Sequence, residues 1–375
     1  MRYLYTVVEQ VTAPYMNHKS KNSMQRSLVL FENAIKTEAT RKAYLYQLEK
    51  FRVWIKVKNY DELLAAPEKQ IQVFLEDYLF YLKKKLSPNT IPSTIAPLEL
   101  FYSMNDKILD FKKLRKMFPA GVKKSGYGVY SNQDTQNMLK HTSKKRSRAI
   151  VLFMASTGCR VGAIPDLKLR HVSDMPEGCK SVLFYEGSNE EHCGFLTPEA
   201  TFALDEYLEE RQKDGERLNS ESSVFRAIYR LGMEKTKPMT TGTIKEVISV
   251  LVRSDISRNK IGNRYNIQIA HGFRKRFATI VKLNNKISYS VSERLLGHKA
   301  GEDSSYFRPT VKQELFGEFR KVISDLTVDD SERLRAQNRI KDETIQKMES
   351  ENNARITKLE NDLRQVYELL QQIQR

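Results

Sequence analysis

Apolar positions recur every three or four residues along the first third of the chain, which is the pattern of helices that bury one face. The segment Thr37-Glu38-Ala39-Thr40 can begin the first of these helices. The second ends in the lysine run 83–85, because cations favour a helix C-terminus, and the third follows Ser87-Pro88-Asn89-Thr90. Their inward positions are Tyr44, Leu48, Phe51 and Ile55; Ile71, Phe74, Leu75, Tyr78, Leu79 and Leu82; and Ile95, Leu98, Phe101 and Tyr102. The pattern predicts a helical domain over residues 28–118, after an N-terminal extension at 1–27.

The pattern changes to that of a β-hairpin between Lys180 and Pro198. Residues 181–185 and 192–196 alternate as strands around a polar turn at 186–191. Helical patterns surround this region and give predicted helices at residues 148–157, 198–213, 240–253 and 313–326. We therefore expect a mainly α fold with a small β-sheet (α+β). Residues 131–326 form its second domain, and the Gly- and Pro-containing segment 119–130 links the two domains.

The tail, residues 329–375, contains no Gly or Pro and carries apolar residues that alternate three and four apart. This spacing is the a/d seam of a coiled coil, and the seam residues are Ile356, Leu359, Leu363, Val366, Leu370 and Ile373. Upstream, Ile345 and Met348 with Asn338 and Asn352 fit an earlier register that is offset by four residues. A coiled coil over residues 334–373 is predicted, and a lone amphipathic helix folding back on the body is the alternative.

The composition adds an expected partner. The chain has 63 Lys and Arg against 46 Asp and Glu, so its formal charge is +17. This balance favours a polyanion, of which DNA is the commonest, although an incidental basic surface remains the alternative. The cysteines Cys159, Cys179 and Cys193 show no metal-binding or disulfide spacing, which fits a reducing interior. Neither a signal peptide nor a membrane-length apolar run is found, and a cytoplasmic protein is expected.

Candidate chemistry is concentrated between residues 270 and 309. His271 and Arg274 are three residues apart and share a face on a helix, whereas Arg276 points elsewhere. The tight break Leu296-Gly297-His298 follows, and Tyr306 lies eight residues beyond His298. These groups, together with an upstream arginine, suit an anionic phosphodiester whose charge is neutralised without a metal. No metal and no cofactor are expected.

The upstream arginine is Arg160, in the phrase Ser156-Thr-Gly-Cys-Arg-Val-Gly-Ala-Ile-Pro-Asp-Leu167. An arginine that follows a glycine break behind an apolar helix is held rigidly, as a phosphate clamp requires. The order Arg160, His271-x-x-Arg274, Leu-Gly-His298 and Tyr306 resembles the signature of the tyrosine recombinase (integrase) family. The resemblance covers about residues 130–323, and the Tyr-Phe-Arg-Pro phrase at Tyr306 leans toward archaeal-type mobile-element integrases.

The resemblance implies a DNA strand transferase that cuts and rejoins strands without metal or ATP. Tyr306 would be the nucleophile, forming a 3′-phosphotyrosyl intermediate, and Arg160 and Arg274 would bind the phosphate. His271 is the expected general base and His298 a phosphate ligand, although the pair could exchange roles. A type IB topoisomerase and a catalytically impaired DNA-binding relative are the alternatives.

The chain departs from the family in the hairpin. The resemblance predicts a lysine in or beside the turn, where it would protonate the leaving oxygen, but residues 186–191 contain none. Lys180, just before the first strand, is the nearest substitute, and Lys168 lies further back. The general acid is therefore the least determined catalytic residue.

The resemblance also implies contacts with double-stranded DNA and assembly of a homo-oligomer, a dimer to a tetramer, on the DNA. Residues 313–326 would dock onto a neighbouring protomer or pack on their own domain, and the tail 334–373 offers a second contact. The candidate DNA-binding residues are lysines of the helical domain and the linker. Each of them could equally be a solvated surface residue with no contact to DNA. They are Lys83, Lys84, Lys85, Lys112, Lys113, Lys123 and Lys124.

Overall fold

The computed structural model describes residues 25–122, 127–230, 232–233, 236–253, 255–256, 258–261, 264–298 and 312–373. Contacts divide the chain into two units, residues 1–124 and 125–375. The division falls within 119–130, the segment that the sequence assigns to a linker. Lys123, Lys124 and Tyr306 lie outside the described residues.

The first unit is a helical bundle. Its core is rich in aromatic side chains; Phe31, Phe51 and Phe101 are fully buried in it. Thr37 caps the second helix as predicted, since its side chain accepts a hydrogen bond from the backbone amide of Thr40. The helices are α1 (Arg26–Asn33), α2 (Glu38–Ile55), α3 (Glu68–Lys85), α4 (Ile91–Met104) and α5 (Phe111–Lys116).

The second unit is built around a buried helix that ends at Thr157. All of its residues from Ala149 to Thr157 are buried, which confirms the prediction of a core helix just before Arg160. The helices of this unit are α6 (Asn132–Lys140), α7 (Lys145–Thr157), α8 (Pro198–Lys213), α9 (Thr241–Leu251), α10 (His271–Leu283), α11 (Tyr289–Leu295), α12 (Lys312–Arg320), α13 (Ile323–Leu326) and α14 (Asp330–Ile373).

A three-stranded antiparallel sheet lies beside α7. Strands β1 (Val172–Met175), β2 (Cys179–Phe184) and β3 (His192–Leu196) pair in the order β1-β2-β3. The predicted hairpin is confirmed as β2 and β3, with Phe184 opposite His192. Strand β1 was missed because it is short and polar. The two-residue strands β4 (Lys260–Ile261) and β5 (Arg264–Tyr265) form a second hairpin that the sequence pattern also did not predict.

The segment 313–326 packs on its own domain, which is one of the two alternatives for it. Phe316 and Phe319 are buried against Phe195 of β3, and Leu315, Val322 and Leu326 are buried in the same cluster.

Helix α14 behaves differently from the rest of the second unit. Ile345, Met348, Ile356, Leu359 and Leu363 are each more than half exposed, so this part of its apolar face is not covered by the body of the chain. Among the described helices, none combines the length and the apolar character needed to cross a membrane.

Candidate active site

Arg274 is held rigidly at the start of α10. Its side chain is only 6% exposed. Nη1 donates to the carbonyl of Gly158 at 3.0 Å and Nη2 to the carbonyl of Leu296 at 2.7 Å. Burial lowers the pKa of this guanidinium, and the positive charge of Arg160 lowers it further. Two main-chain oxygens therefore fix the direction of the guanidinium before any substrate arrives.

Arg160 reaches the same place from the end of α7. Gly158 ends this helix with φ +58°, and a Cβ at Gly158 would lie 2.5 Å from Cβ of Phe277, so only glycine fits this close approach. Arg160 follows two residues later, and its Nη1 lies 3.2 Å from Oε2 of Glu190 in the hairpin turn. The two arginines that are 114 residues apart in sequence thus share one electrostatic environment.

His298 joins the cluster through Arg274. Its Nε2 lies 2.9 Å from Nη2 of Arg274, and its Nδ1 lies 2.8 Å from Oε2 of Glu293. A guanidinium only donates, so Nε2 accepts and Nδ1 carries the proton that Glu293 binds. Glu293 is 8% exposed, and its other oxygen pairs with Lys282 at 2.5 Å. Glu293 was not predicted from the sequence, in which its place five residues before His298 was the available signal.

His271 is the first residue of α10 and lies exposed at the helix end. Partial burial of the ring lowers its pKa, and the charges of Lys275, Arg274 and Arg160 act in the same direction. A neutral imidazole at neutral pH is the form that a general base requires.

His192, at the start of β3, is a third histidine at this site and was also missed. Burial lowers its pKa, and the charges of Arg274 and Arg160 contribute to the lowering. Its ring stacks on Phe184 with centroids 5.2 Å apart. It also packs on Gly297, where a Cβ would lie 2.4 Å from the ring. The histidine therefore lies between the hairpin and the Leu-Gly-His turn.

The structure does not bring Lys180 to the arginines. Its Nζ pairs with Asp174 at 2.7 Å and with Asp205 at 3.3 Å. Lys180 is opposite Leu196, at the end of the hairpin away from the turn. At about 3.3 Å per strand residue, it lies roughly 17 Å from the start of the turn. The expectation that Lys180 substitutes for the turn lysine is therefore corrected. Lys180 stands next to the first strand in the sequence, but it lies at the end of the hairpin that is far from the arginines.

Arg276, unlike Arg274, serves to hold helices together and lies outside the cluster. It is buried, and it donates to the carbonyls of Ala155 at 3.3 Å and Leu326 at 3.0 Å. Burial lowers its pKa to about 10. As predicted, Arg276 points away from Arg274. Its hydrogen bonds connect α7 to the end of α13.

The fold and this cluster define a class of protein. A mainly helical domain with a small antiparallel sheet brings two arginines and three histidines into one cluster, an arrangement suited to transfer of a phosphodiester.

The comparisons with known proteins agree with this class. The phage integrase family matches residues 129–310. Two tyrosine recombinases named XerC, from Lactobacillus leichmannii and Lactobacillus delbrueckii subsp. bulgaricus, are each 25% identical to this chain over 260 residues, covering 66% of this chain and 81% of the relative. A solved structure of XerH site-specific recombinase bound to its difH substrate covers 71% of this chain and 76% of that chain, with 17% identity and a TM-score of 0.50, a likeness in fold. The match over residues 129–310 and the similarity to the XerC proteins support a site-specific tyrosine recombinase.

Proposed function

We propose that this recombinase cuts and rejoins double-stranded DNA through a covalent bond between Tyr306 and the 3′-phosphate of the cut strand. The observation that carries the proposal is the convergence of Arg160, Arg274 and His298: Arg274 contacts His298 directly, and the charge of Arg160 lies close enough to lower the pKa of Arg274. Tyr306 lies outside the described residues, and its role rests on its place in the family signature.

The reaction needs no ATP because the bond energy is conserved in the phosphotyrosyl ester, and it needs no metal because the two guanidinium groups neutralise the phosphate. Arg160 and Arg274 bind the non-bridging oxygens. Each planar guanidinium can donate two parallel hydrogen bonds to a phosphate. Charge accumulates on these oxygens in the pentavalent state, so the clamp stabilises that state more than the substrate.

The two histidines take different roles in this proposal. His271 accepts the phenolic proton of Tyr306, which is needed because a free tyrosine has a pKa of about 10. His298 keeps its Nδ1 proton on Glu293 and presents Nε2 beside Arg274.

We propose that the helical unit contributes contacts to the DNA backbone through Lys83, Lys84, Lys85 and Lys112, all of which are exposed. Lys113 is less available, because its Nζ lies 2.6 Å from Glu76. Lys123 and Lys124, in the linker, remain candidates outside the described residues. Since the substrate is DNA, we place the protein in the cytoplasm with the DNA.

We also propose that a second copy of the chain covers the exposed face of α14. In the downstream register, Arg355 precedes an a position and Glu360 follows a d position, so Arg355 of one parallel helix faces Glu360 of the other. Replacing Leu359 and Leu363 by Asp should convert a dimer to a monomer in sedimentation, whereas Thr357→Asp with Asn361→Asp, off the seam, should not. A wild-type chain that sediments as a monomer at every concentration would contradict the proposal.

The test of the main proposal is the covalent adduct. Wild-type protein is incubated with a random duplex library, and adducts that survive SDS are recovered and mapped. Tyr306→Phe should abolish the adduct because the attacking oxygen is lost. Tyr289→Phe is the matched control, since Tyr289 is 71% exposed on α11 and lies before His298. An adduct that persists in Tyr306→Phe would refute the assignment of the nucleophile.

Assays on the same purified protein distinguish the two alternatives from a recombinase. A type IB topoisomerase would form the adduct but would relax plasmids without joining two marked sites, and the recombinase relatives do not favour it. A catalytically impaired relative would bind DNA with a steep salt dependence but form no adduct. The hairpin turn without a lysine is the one feature that favours the impaired relative.

A further inference from the structure

His192 is held by two contacts to its ring and one at its edge. Phe184 stacks on the ring, with 26° between the ring planes. A Cβ at Gly297 would lie 2.4 Å from Cε1 and 2.5 Å from each ring nitrogen. Such near-equal distances arise only above the plane of the ring, so a face of the imidazole is turned to Gly297. These contacts favour one orientation of the ring beside the site.

The tautomer of His192 is fixed as well. Nδ1 lies 2.8 Å from the carbonyl oxygen of Glu190. A carbonyl only accepts, so Nδ1 carries a proton in the folded protein. Nε2 is then the ring nitrogen that remains to gain or lose a proton.

The surroundings of His192 connect it to both arginines. Glu190, whose carbonyl binds Nδ1, places its carboxylate on Arg160. Gly297, which packs on the ring, immediately precedes His298, the partner of Arg274. The imidazole thus lies on the hairpin side of the position that the proposed phosphate would occupy.

We propose that His192 is the general acid of DNA cleavage and takes the role for which the hairpin turn has no lysine. This inference rests on the proposed function. Nε2–H of His192 donates its proton to the 5′-oxygen that leaves the phosphorus. In the same step the bond from Tyr306 to phosphorus forms, the bond from phosphorus to the 5′-oxygen breaks, and the proton of Tyr306 passes to His271. In rejoining, neutral His192 takes the proton from the attacking 5′-hydroxyl.

The charge balance of the site permits this cycle. In the free protein, burial and the nearby arginines keep the pKa of His192 low, so the ring is neutral. A bound phosphodiester brings a negative charge between the arginines and the imidazole, and an adjacent anion favours the protonated ring. Protonation of the acid is thereby coupled to binding of the substrate.

The experiment replaces the leaving oxygen. The duplex recovered with wild-type protein is synthesised with either oxygen or sulfur at the 5′-bridging position of the cleaved phosphate. A thiolate leaves without a proton, so loss of the general acid affects only the oxygen substrate. His192→Ala should cleave the oxygen substrate about 10²–10⁴-fold more slowly than wild type. On the sulfur substrate, the cleavage rate of His192→Ala should lie within about tenfold of the wild-type rate, because the leaving thiolate needs no proton.

Three controls separate this role from others. His192→Gln fills similar space and cannot act as the acid, and it should reproduce the pattern if the alanine variant is unstable. His141→Ala removes a histidine whose Nδ1 binds the carbonyl of Leu251 at 3.1 Å, and it should cleave both substrates normally. Arg274→Ala should be slow on both substrates.

Each outcome has a clear meaning. Equal fractional losses on the two substrates, or no loss on oxygen, would overturn the acid role of His192. A wild-type protein that forms no adduct with either substrate would instead refute the proposed function.

Discussion

The two arginines of the site belong to regions that hold them in opposite ways. Arg274 is buried, and main-chain carbonyls from two turns bind it. Arg160 is 40% exposed at its side chain, and its guanidinium pairs with Glu190, which is 59% exposed. One guanidinium is therefore oriented in the free protein, whereas under the proposed function the other exchanges a carboxylate for the phosphate. An exposed ion pair contributes only about 0–1 kcal/mol, so this exchange costs little.

The largest expected difference between these regions comes from lysine at each arginine. Arg274→Lys loses the fork that binds two carbonyls and the phosphate together, and cleavage should slow by about 10²–10³-fold or more. Arg160→Lys keeps a charge on an exposed and adaptable side chain, and we expect a smaller loss. Rates of adduct formation measure both effects, with mobility shifts to show that DNA binding is largely retained. Equal losses of cleavage rate in Arg274→Lys and Arg160→Lys would show that the two arginines are not held in different ways.

The same contrast explains what could be predicted from the sequence. Periodicity predicted the helices because it repeats along the sequence, and the set Arg160, His271, Arg274 and His298 was proposed because its order resembles the tyrosine recombinase signature. The anchoring of Arg274 by Gly158 and Leu296 was not predictable, since it depends on tertiary contacts between α7, α10 and α11.

The hairpin is the region where the sequence said least about position. Lys180 was chosen on residue type and because it stands just before the first strand, whereas the end of the hairpin at which it lies follows from the register of β2 and β3. The signal that was available is a histidine that follows the turn immediately, where an ionisable group was expected.

A smaller effect is expected at Glu293, which belongs to the rigid region. Glu293→Gln keeps the shape but removes the negative charge that the Nδ1–H of His298 binds, so the hydrogen bond that orients His298 is weakened. A hydrogen bond to a charged group is worth about 1.5–3 kcal/mol, which corresponds to roughly 10–100-fold in cleavage rate. Adduct formation under single-turnover conditions measures this loss. Glu246→Gln, an exposed change on α9, is the matched control. Wild-type rates in Glu293→Gln would show that His298 is oriented by Arg274 alone.

The smallest effect should come from the adaptable region. Glu190→Gln releases Arg160 without changing the backbone carbonyl that binds His192, so the free protein no longer has to break an ion pair when a phosphate arrives. Since such pairs are worth about 0–1 kcal/mol, the affinity for DNA should rise by no more than about fivefold. Glu191→Gln makes the same change in net charge one residue away, where the carboxylate accepts from the amide of Gly187 rather than from Arg160. Binding titrations at several salt concentrations compare the two variants. A greater gain for Glu190→Gln would attribute the effect to Arg160 itself, whereas equal gains would mean that only the overall charge of the turn matters and that Arg160 is not restrained before DNA binds.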